Sequence, residues 1–168
     1  MRIFLSFFAG ASALSSPSIA NATEWLISPA SDGMGERLTY ESGSQVAYKF
    51  ECQPDAIAIT ETGVTDILDL RTNRKVGDGP DAVMPEGAAL MALFGGNGTP
   101  DFQPASSVKN PKGGWDLTIR LKKKDKQLRS IQSSGMISLF TTGYTTAVPI
   151  DDATSAIWKG FLKRCQNS

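Results

Sequence analysis

The sequence predicts an α+β domain, in which an antiparallel β-sheet or β-sandwich is closed by a C-terminal helix. Two patterns predict this fold class. Short runs of alternating apolar and polar residues, separated by turn residues, follow Trp25. Apolar residues then recur at helical spacing near the C-terminus. The chain has only two cysteines, Cys52 in the strand-like part and Cys165 in the helix-like part. We therefore expect a disulfide that ties the helix to the sheet.

The first 22 residues have the features of a cleaved secretory signal peptide. Arg2 precedes an apolar run over residues 3–14, which is too short to span a bilayer as a helix. Pro17 then interrupts the run, and Ala20 and Ala22 are the small residues that a signal peptidase requires. We expect a periplasmic or secreted mature protein, residues 23–168, that folds as a single β-rich domain without a transmembrane segment.

The alternation of apolar and polar residues predicts where the strands of this domain lie. The early strands are predicted at 37–40, 46–52, 56–60 and 64–70, with a hairpin at Thr62-Gly63 and a turn at 71–74. Later strands are predicted at 115–121, 136–141 and 144–148, the last two joined about Thr142-Gly143.

The C-terminal helix follows from an apolar stripe and a capping residue. Trp158, Phe161, Leu162 and Cys165 lie at helical spacing, and Asp151 is the predicted N-cap. Cys52 falls on the apolar face of its strand, so both sulfurs are predicted to face the core. The alternative to a disulfide is a pair of buried free thiols that act as small apolar side chains.

Residues 77–104 form a Gly/Pro-rich insertion that lacks strand alternation. Within it, residues 85–94 are predicted to form a short helix that begins at a proline and ends at Gly95. Its apolar residues Leu90, Met91 and Phe94 surround more than one face. They are predicted either to cover one end of the sheet core or to form an exposed docking element.

Composition excludes several kinds of catalysis. The chain has no histidine, which removes Ser-His, Cys-His and His-based metal sites. Ser106 and Lys109 have the spacing of a Ser-Lys nucleophile pair, but the supporting motifs are missing. We expect no metal, no cofactor and no catalytic residue. A carboxylate pair assembled by the fold is the main catalytic route that remains open.

Charge is balanced in total and uneven along the chain. The 17 basic and 17 acidic residues cancel, yet residues 109–129 carry eight basic and two acidic side chains, a net of +6, and residues 51–101 carry three basic and nine acidic ones, a net of −6. The basic segment is the predicted contact with an envelope protein or an anionic envelope polymer; the alternative is a solvated turn. Nucleic acid is not an expected partner, because the segment lacks interleaved aromatic residues. The candidate basic residues are Lys109, Lys112, Arg120, Lys122, Lys123, Lys124, Lys126 and Arg129.

A set of landmarks resembles two groups of small envelope proteins. These landmarks are Trp25 with Ser28 and residues 31–34, the strand that ends in Cys52, and Gly160-Phe161 through Cys165. The pattern is similar to that of the invasion-associated locus B proteins of the periplasm and of accessory proteins of type VI secretion. The resemblance implies a β-rich interaction module and no catalytic residue. The insertion at 77–104 departs from both groups.

These observations favour a non-catalytic exported binding protein of the bacterial cell envelope. Its predicted interaction surface is the basic segment, the segment at 85–94, or both. Two other functions stay open at this point. One is a carboxylate-based hydrolase of wall polysaccharide, which needs two acids in one cleft. The other is a carrier of an apolar small molecule, which needs a cavity between the sheet and the helix.

Overall fold

The computed structural model describes residues 24–30, 35–42, 45–95 and 99–167. The predicted signal peptide and the landmark residues 31–34 lie outside these ranges. The elements in chain order are β1 (Glu24–Pro29), β2 (Glu36–Ser42), β3 (Gln45–Cys52), β4 (Ala56–Val64), β5 (Leu68–Asp69), β6 (Arg74–Lys75), β7 (Leu90–Phe94), β8 (Gln103–Pro104), β9 (Ser106–Lys109), β10 (Trp115–Lys122), α1 (Lys126–Ser134), β11 (Met136–Thr141), β12 (Tyr144–Pro149) and α2 (Asp152–Asn167).

Two antiparallel sheets and a short hairpin account for these strands. The larger sheet has six strands in the order β1-β2-β3-β4-β10-β9, and the smaller has four in the order β12-β11-β7-β8. Strands β5 and β6 pair only with each other, about the predicted turn at 71–74. Strands β11 and β12 form the predicted hairpin, with Gly143 at a φ of 97° in its turn.

The core lies between the inner faces of the two sheets. Alternation in β10 buries Trp115, Leu117, Ile119 and Leu121, as the sequence predicts. Inward side chains of β7 and β11 belong to the same apolar cluster. The two sheets therefore share one core, and polar groups on their inner faces are enclosed between them.

Helix α2 closes the domain and is joined to the larger sheet by the predicted disulfide. Cys52 and Cys165 are bonded with a Cα–Cα distance of 5.5 Å, across 113 residues of sequence. The Asp151 carboxylate accepts a hydrogen bond of 2.7 Å from the Thr154 amide, which confirms the predicted N-cap. Trp158 packs edge-on against Phe50 of β3, with ring centroids 5.0 Å apart. The predicted fold class is thus confirmed.

The predicted hairpin at Thr62-Gly63 is wrong, and with it the strand at 64–70. Strand β4 continues through this position to Val64. Thr62 and Gly63 together lie opposite the single residue Asp116 of β10. Gly63 has a φ of 68°, and its amide donates to the Asp116 carboxylate at 3.0 Å. The Thr62-Gly63 dipeptide, which predicted a turn, forms a β-bulge instead, because a bulge uses a glycine in the left-handed conformation just as a turn does.

The predicted helix at 85–94 is also wrong. Leu90–Phe94 is strand β7, hydrogen-bonded to β11 on one side and β8 on the other. Met91, Ala92 and Leu93 are all buried, so both faces of the strand are covered. A short run that is apolar on all sides has the same pattern in a covered strand as in a buried helix, and periodicity cannot separate the two.

Helix α1 was not predicted. Only Leu128 and Ile131 among its residues are fully buried apolar side chains, which is a weak helical signal in a basic stretch. Asp125 caps its first turn by accepting from the Gln127 amide at 2.8 Å, and Gly135 ends it at a φ of 66°. This helix determines where Lys126 and Arg129 lie.

Candidate functional site

The structure divides the predicted basic residues into two groups. Lys109 and Lys112 lie where β10 begins, and the others lie where it ends, about 23 Å away along an eight-residue strand. Lys109 is occupied within the fold: its ammonium lies 4.0 Å from the centre of the Trp115 ring and donates to the Gly79 carbonyl. These two residues are therefore separate from the main cationic group.

The second group consists of cationic residues that follow one another in sequence, most of them exposed, and we call it the basic surface. It follows the end of β10, the turn and the exposed side of α1. Helix α2 reaches the same place, because the Gln166 side chain donates to the Lys123 carbonyl at 2.9 Å. Lys163, one helical turn before Gln166, is exposed there and was not predicted as part of the site. The basic surface consists of Arg120, Lys122, Lys123, Lys124, Lys126, Arg129 and Lys163.

The segment that carries most of the basic surface contains few acidic residues. Asp125 is the single acid between residues 120 and 129, and its carboxylate is already bonded to the α1 backbone. Within the described ranges, no ion pair engages Lys122, Lys124, Lys126 or Arg129. These cations are thus available to an anionic partner.

A cleft of about 280 Å³ borders the basic surface, and we call it the α1 cleft. Phe94 of β7 and Lys126 of α1 both line it. It also holds the Gln127 side chain, which is 7 % exposed and whose amide oxygen and nitrogen have no hydrogen-bond partner. An unpaired buried amide costs free energy until a donor and an acceptor reach it. The remaining lining residues are Leu93, Thr99, Asp101 and Ser130.

The three predicted apolar contact residues have different surroundings. Phe94 is half-buried beside the α1 cleft and packs edge-on against Phe140 at 5.4 Å. Leu90 is half-buried where β7 pairs with β8, and Met91 has no exposed surface. Met91 is therefore a core residue, which agrees with the prediction that this segment covers one end of the core. Of the three residues, Phe94 is the one that borders an open cleft.

A second cleft, of about 170 Å³, opens between the inner faces of the two sheets and contains a buried acid. Glu61 of β4 is only 3 % exposed, and its Oε1 accepts a hydrogen bond of 2.6 Å from the Thr146 hydroxyl of β12. Its other oxygen, Oε2, has no hydrogen-bond partner. Burial away from water raises the pKa of Glu61 to about 7, and the bond from Thr146 partly opposes this rise. We call this the Glu61 cleft.

The other ionisable groups of the Glu61 cleft are also acids. Burial raises the pKa of Tyr48, so its phenol stays neutral and able to donate. Asp66 is more than half exposed and binds the Lys75 ammonium at 2.7 Å, and this ion pair lowers the pKa of Asp66. Tyr144 lines the opening and is 41 % exposed.

Glu61 was not identified from the sequence, although a signal for it was present. Ile57, Ile59 and Glu61 occupy successive inward positions of β4, so a charged residue stands where alternation requires an apolar one. The sequence could not show that Thr146, 85 residues later, supplies its hydrogen bond.

Comparison of the chain with protein-family models, with curated proteins and with solved structures finds no match. The structure itself defines a disulfide-linked α+β protein with two candidate sites, the basic surface with its α1 cleft and the Glu61 cleft. Among the described residues, no helix has the length and apolar character to cross a bilayer.

Proposed function

We propose that this protein is a non-catalytic exported binding protein of the bacterial cell envelope. Its binding site is the basic surface together with the α1 cleft. Its partner is an envelope protein or an anionic envelope polymer that presents negative charge beside a group able to enter the cleft.

One observation carries this proposal: two predicted contact groups, far apart in sequence, meet at one cleft. Phe94 comes from the apolar segment and Lys126 from the basic segment, and both line the α1 cleft. The unpaired Gln127 amide adds a hydrogen-bonding group to the same place. An aromatic ring, a cation and an unsatisfied amide are the combination that fixes and orients a polar ligand.

Export is supported by the signal-like character of residues 1–22 and by the disulfide. Disulfides form and persist in oxidising compartments such as the bacterial periplasm. The resemblance to invasion-associated locus B proteins and to type VI secretion accessory proteins points to the same compartment and to an interaction module.

The proposal is tested by charge reversal and salt. The tagged, oxidised protein is used to capture partners from its own envelope fraction at about 50 mM and about 500 mM salt, since screening weakens contacts between exposed charges. The doubly substituted variant Lys122→Glu, Lys124→Glu is expected to lose the captured partner. The wild type is expected to hold it at low salt and to lose most of it at high salt.

A matched control changes equal charge elsewhere. Lys112→Glu with Arg74→Glu alters two exposed cations that lie outside the basic surface and take part in no ion pair within the described ranges. It is expected to capture the partner as the wild type does. Equal loss in both double variants would mean that net charge alone matters, and undiminished capture by Lys122→Glu, Lys124→Glu would refute the proposal.

A carboxylate-based hydrolase of wall polysaccharide is the second candidate. The observation that favours it is that Glu61 and Asp66 line one cleft and that their pKa values move in opposite directions. A neutral acid beside an ionised carboxylate is the pair that glycoside hydrolysis needs. Release of reducing ends from purified wall polysaccharide by the wild type, and its loss in Glu61→Gln, would establish this activity. No release by the wild type would exclude it.

The third alternative, a carrier of an apolar small molecule, has no comparable support. The cleft at the junction of α2 with the larger sheet is small, about 160 Å³, and the charged side chains of Glu36 and Arg164 line it. These two side chains form an ion pair at 2.7 Å. A site for an apolar ligand is lined mainly by hydrophobic residues.

A further inference from the structure

The Glu61 cleft is chemically opposite to the basic surface. Each ionisable group that lines it is an acid: Glu61, Asp66, Tyr48 and Tyr144. No lysine or arginine belongs to the lining. The lining residues 61–66 also belong to the acidic segment 51–101, which has a net charge of −6. Such a surrounding attracts cations.

The more buried of the two carboxylic acids in this cleft, Glu61, has one oxygen without a hydrogen-bond partner. Thr146 holds one oxygen of the Glu61 carboxyl at 2.6 Å, which fixes the orientation of the group. The second oxygen, Oε2, is buried and has no partner. A buried oxygen without a donor is rare, and a donor group of a bound molecule would satisfy it.

We propose that the Glu61 cleft binds a small organic cation through its ammonium group. The Glu61 carboxylate is the counter-ion, and Asp66 and the ring of Tyr144 lie at the mouth. The inference does not depend on the basic surface or on the proposed envelope partner.

The cleft already shows this chemistry at its mouth. The Lys75 ammonium lies 2.7 Å from the Asp66 carboxylate, so one of the two acids is paired with an ammonium from the chain itself. Glu61, deeper in the same cleft, has no such partner. Aromatic rings add attraction for ammonium groups, and Tyr48 and Tyr144 line the cleft.

An organic cation suits this site better than a metal ion. Hard metal ions such as Ca²⁺ take six to eight oxygen ligands. Within the described part of the chain, no group of three or more acidic or cysteine side chains converges. A single buried carboxylate with aromatic neighbours instead matches the needs of one ammonium group.

Binding is coupled to the protonation of Glu61, because a cation pairs with the ionised form. The groups that face Glu61 are Tyr48 from β3, Thr146 and Tyr144 from β12, and Asp66 from the segment after β4. Asp66 has a lowered pKa and Tyr48 a raised one, so neither changes charge near pH 7. Glu61 is therefore the group whose titration sets the pH dependence.

The test is an NMR titration of the full-length, oxidised, isotope-labelled protein with methylammonium chloride, with sodium chloride added to hold ionic strength constant. Saturable shifts are expected for the amides of residues 61–66. Because the pKa of Glu61 is about 7, its ionised fraction rises from about one tenth at pH 6 to about nine tenths at pH 8. The apparent affinity is expected to rise about tenfold over that interval.

Variants of the lining residues test whether methylammonium binds in the Glu61 cleft. Glu61→Gln keeps the shape and removes the charge, and it is expected to abolish saturable binding. Tyr144→Ala is expected to weaken binding about two- to fivefold, the size of one cation–ring contact. The control is Glu86→Gln, which removes an exposed acid that does not line the cleft, and it is expected to bind as the wild type does.

A second readout uses the wild type alone, so that it holds even if a variant fails to fold. The carboxyl carbon of Glu61 is followed through a pH titration, with and without saturating methylammonium. Linkage requires the cation to lower the apparent pKa of Glu61. An unchanged pKa, no saturable shift at pH 8, or equal binding at pH 6 and pH 8 would overturn the proposal. Preferential binding of an uncharged wall oligosaccharide at this cleft would overturn it as well.

Discussion

Replacement of Glu61 by glutamine is expected to stabilise the protein above pH 7 and to have little effect near pH 4. The pKa of Glu61 is about 7 in the folded protein, against 4.5 for an ordinary glutamate. Below pH 4.5 the group is protonated in both states, and its contribution to stability is complete. As the pH rises from about 4.5 to about 7, the unfolded chain releases this proton and the folded chain keeps it, so stability falls.

The size of the effect follows from the shift in pKa. Each unit corresponds to about 1.4 kcal/mol, so a rise from 4.5 to about 7 corresponds to about 3 kcal/mol lost by pH 8. Glutamine cannot ionise, and its side-chain oxygen can still accept the hydrogen bond from Thr146. The difference in unfolding free energy between Glu61→Gln and the wild type should therefore grow from near zero at pH 4 to about 3 kcal/mol at pH 8.

Urea unfolding at pH 4, 6 and 8 measures this difference, with the disulfide intact in all samples. Other groups titrate equally in both proteins, so their contributions cancel. Glu86→Gln serves as the control, because it removes an exposed carboxylate outside the cleft, and it is expected to show no such trend. A constant difference across the pH range, or a Glu61→Gln protein that is less stable than the wild type at pH 8, would refute the reasoning.

Three further predictions concern stability. The variant Cys52→Ser, Cys165→Ser is expected to lose about 4 to 5 kcal/mol of unfolding free energy, because it releases a closure across 113 residues; an equal melting temperature would contradict this. Gly114→Ala is expected to destabilise by about 1 to 3 kcal/mol, since a Cβ there would lie 2.8 Å from backbone carbonyls of β4 and φ is +75°. In the same urea assay Gly79→Ala should be neutral, because a Cβ there meets nothing within 4 Å. Asp151→Ala is expected to cost about 1 kcal/mol by removing the α2 cap, and Asp151→Asn should restore most of it; no loss in thermal unfolding of the alanine variant would show that the cap is dispensable.

The parts of the fold that were predicted correctly carry their signal within a few residues. The alternation of apolar and polar residues from Trp115 to Leu121 indicates a strand with one covered face. This pattern is recognisable without knowing which element covers that face. The disulfide was predictable because only one pairing of two cysteines exists and both fall on apolar faces. The Asp151 cap is likewise a local property of the helix start.

The parts that failed depend on partners distant in sequence. Strand β7 is distinguished from a helix by its pairing with β8 and with β11, and β11 lies about 45 residues later in the sequence. The glycine at position 63 fits a turn or a bulge equally, and the length of β10 opposite it decides which one forms.

The candidate sites show the same limit. The basic residues were identified from composition, but their separation into two groups follows from the eight-residue length of β10. The convergence of Phe94 with Lys126 requires the position of α1, and the hydrogen bond from Thr146 to Glu61 requires the packing of two sheets. Sequence patterns can identify such residues one at a time, but only the tertiary structure shows which of them lie close together.

The position of Cys165 has a consequence for biogenesis. It follows every strand in sequence, so the bond to Cys52 cannot form until the ribosome has completed the whole sheet framework. With no other cysteine in these 168 residues, the Cys52 thiol has no wrong partner to react with inside the chain while it waits. The disulfide can therefore form only after the described strands have all been synthesised, and it then joins the last helix to β3.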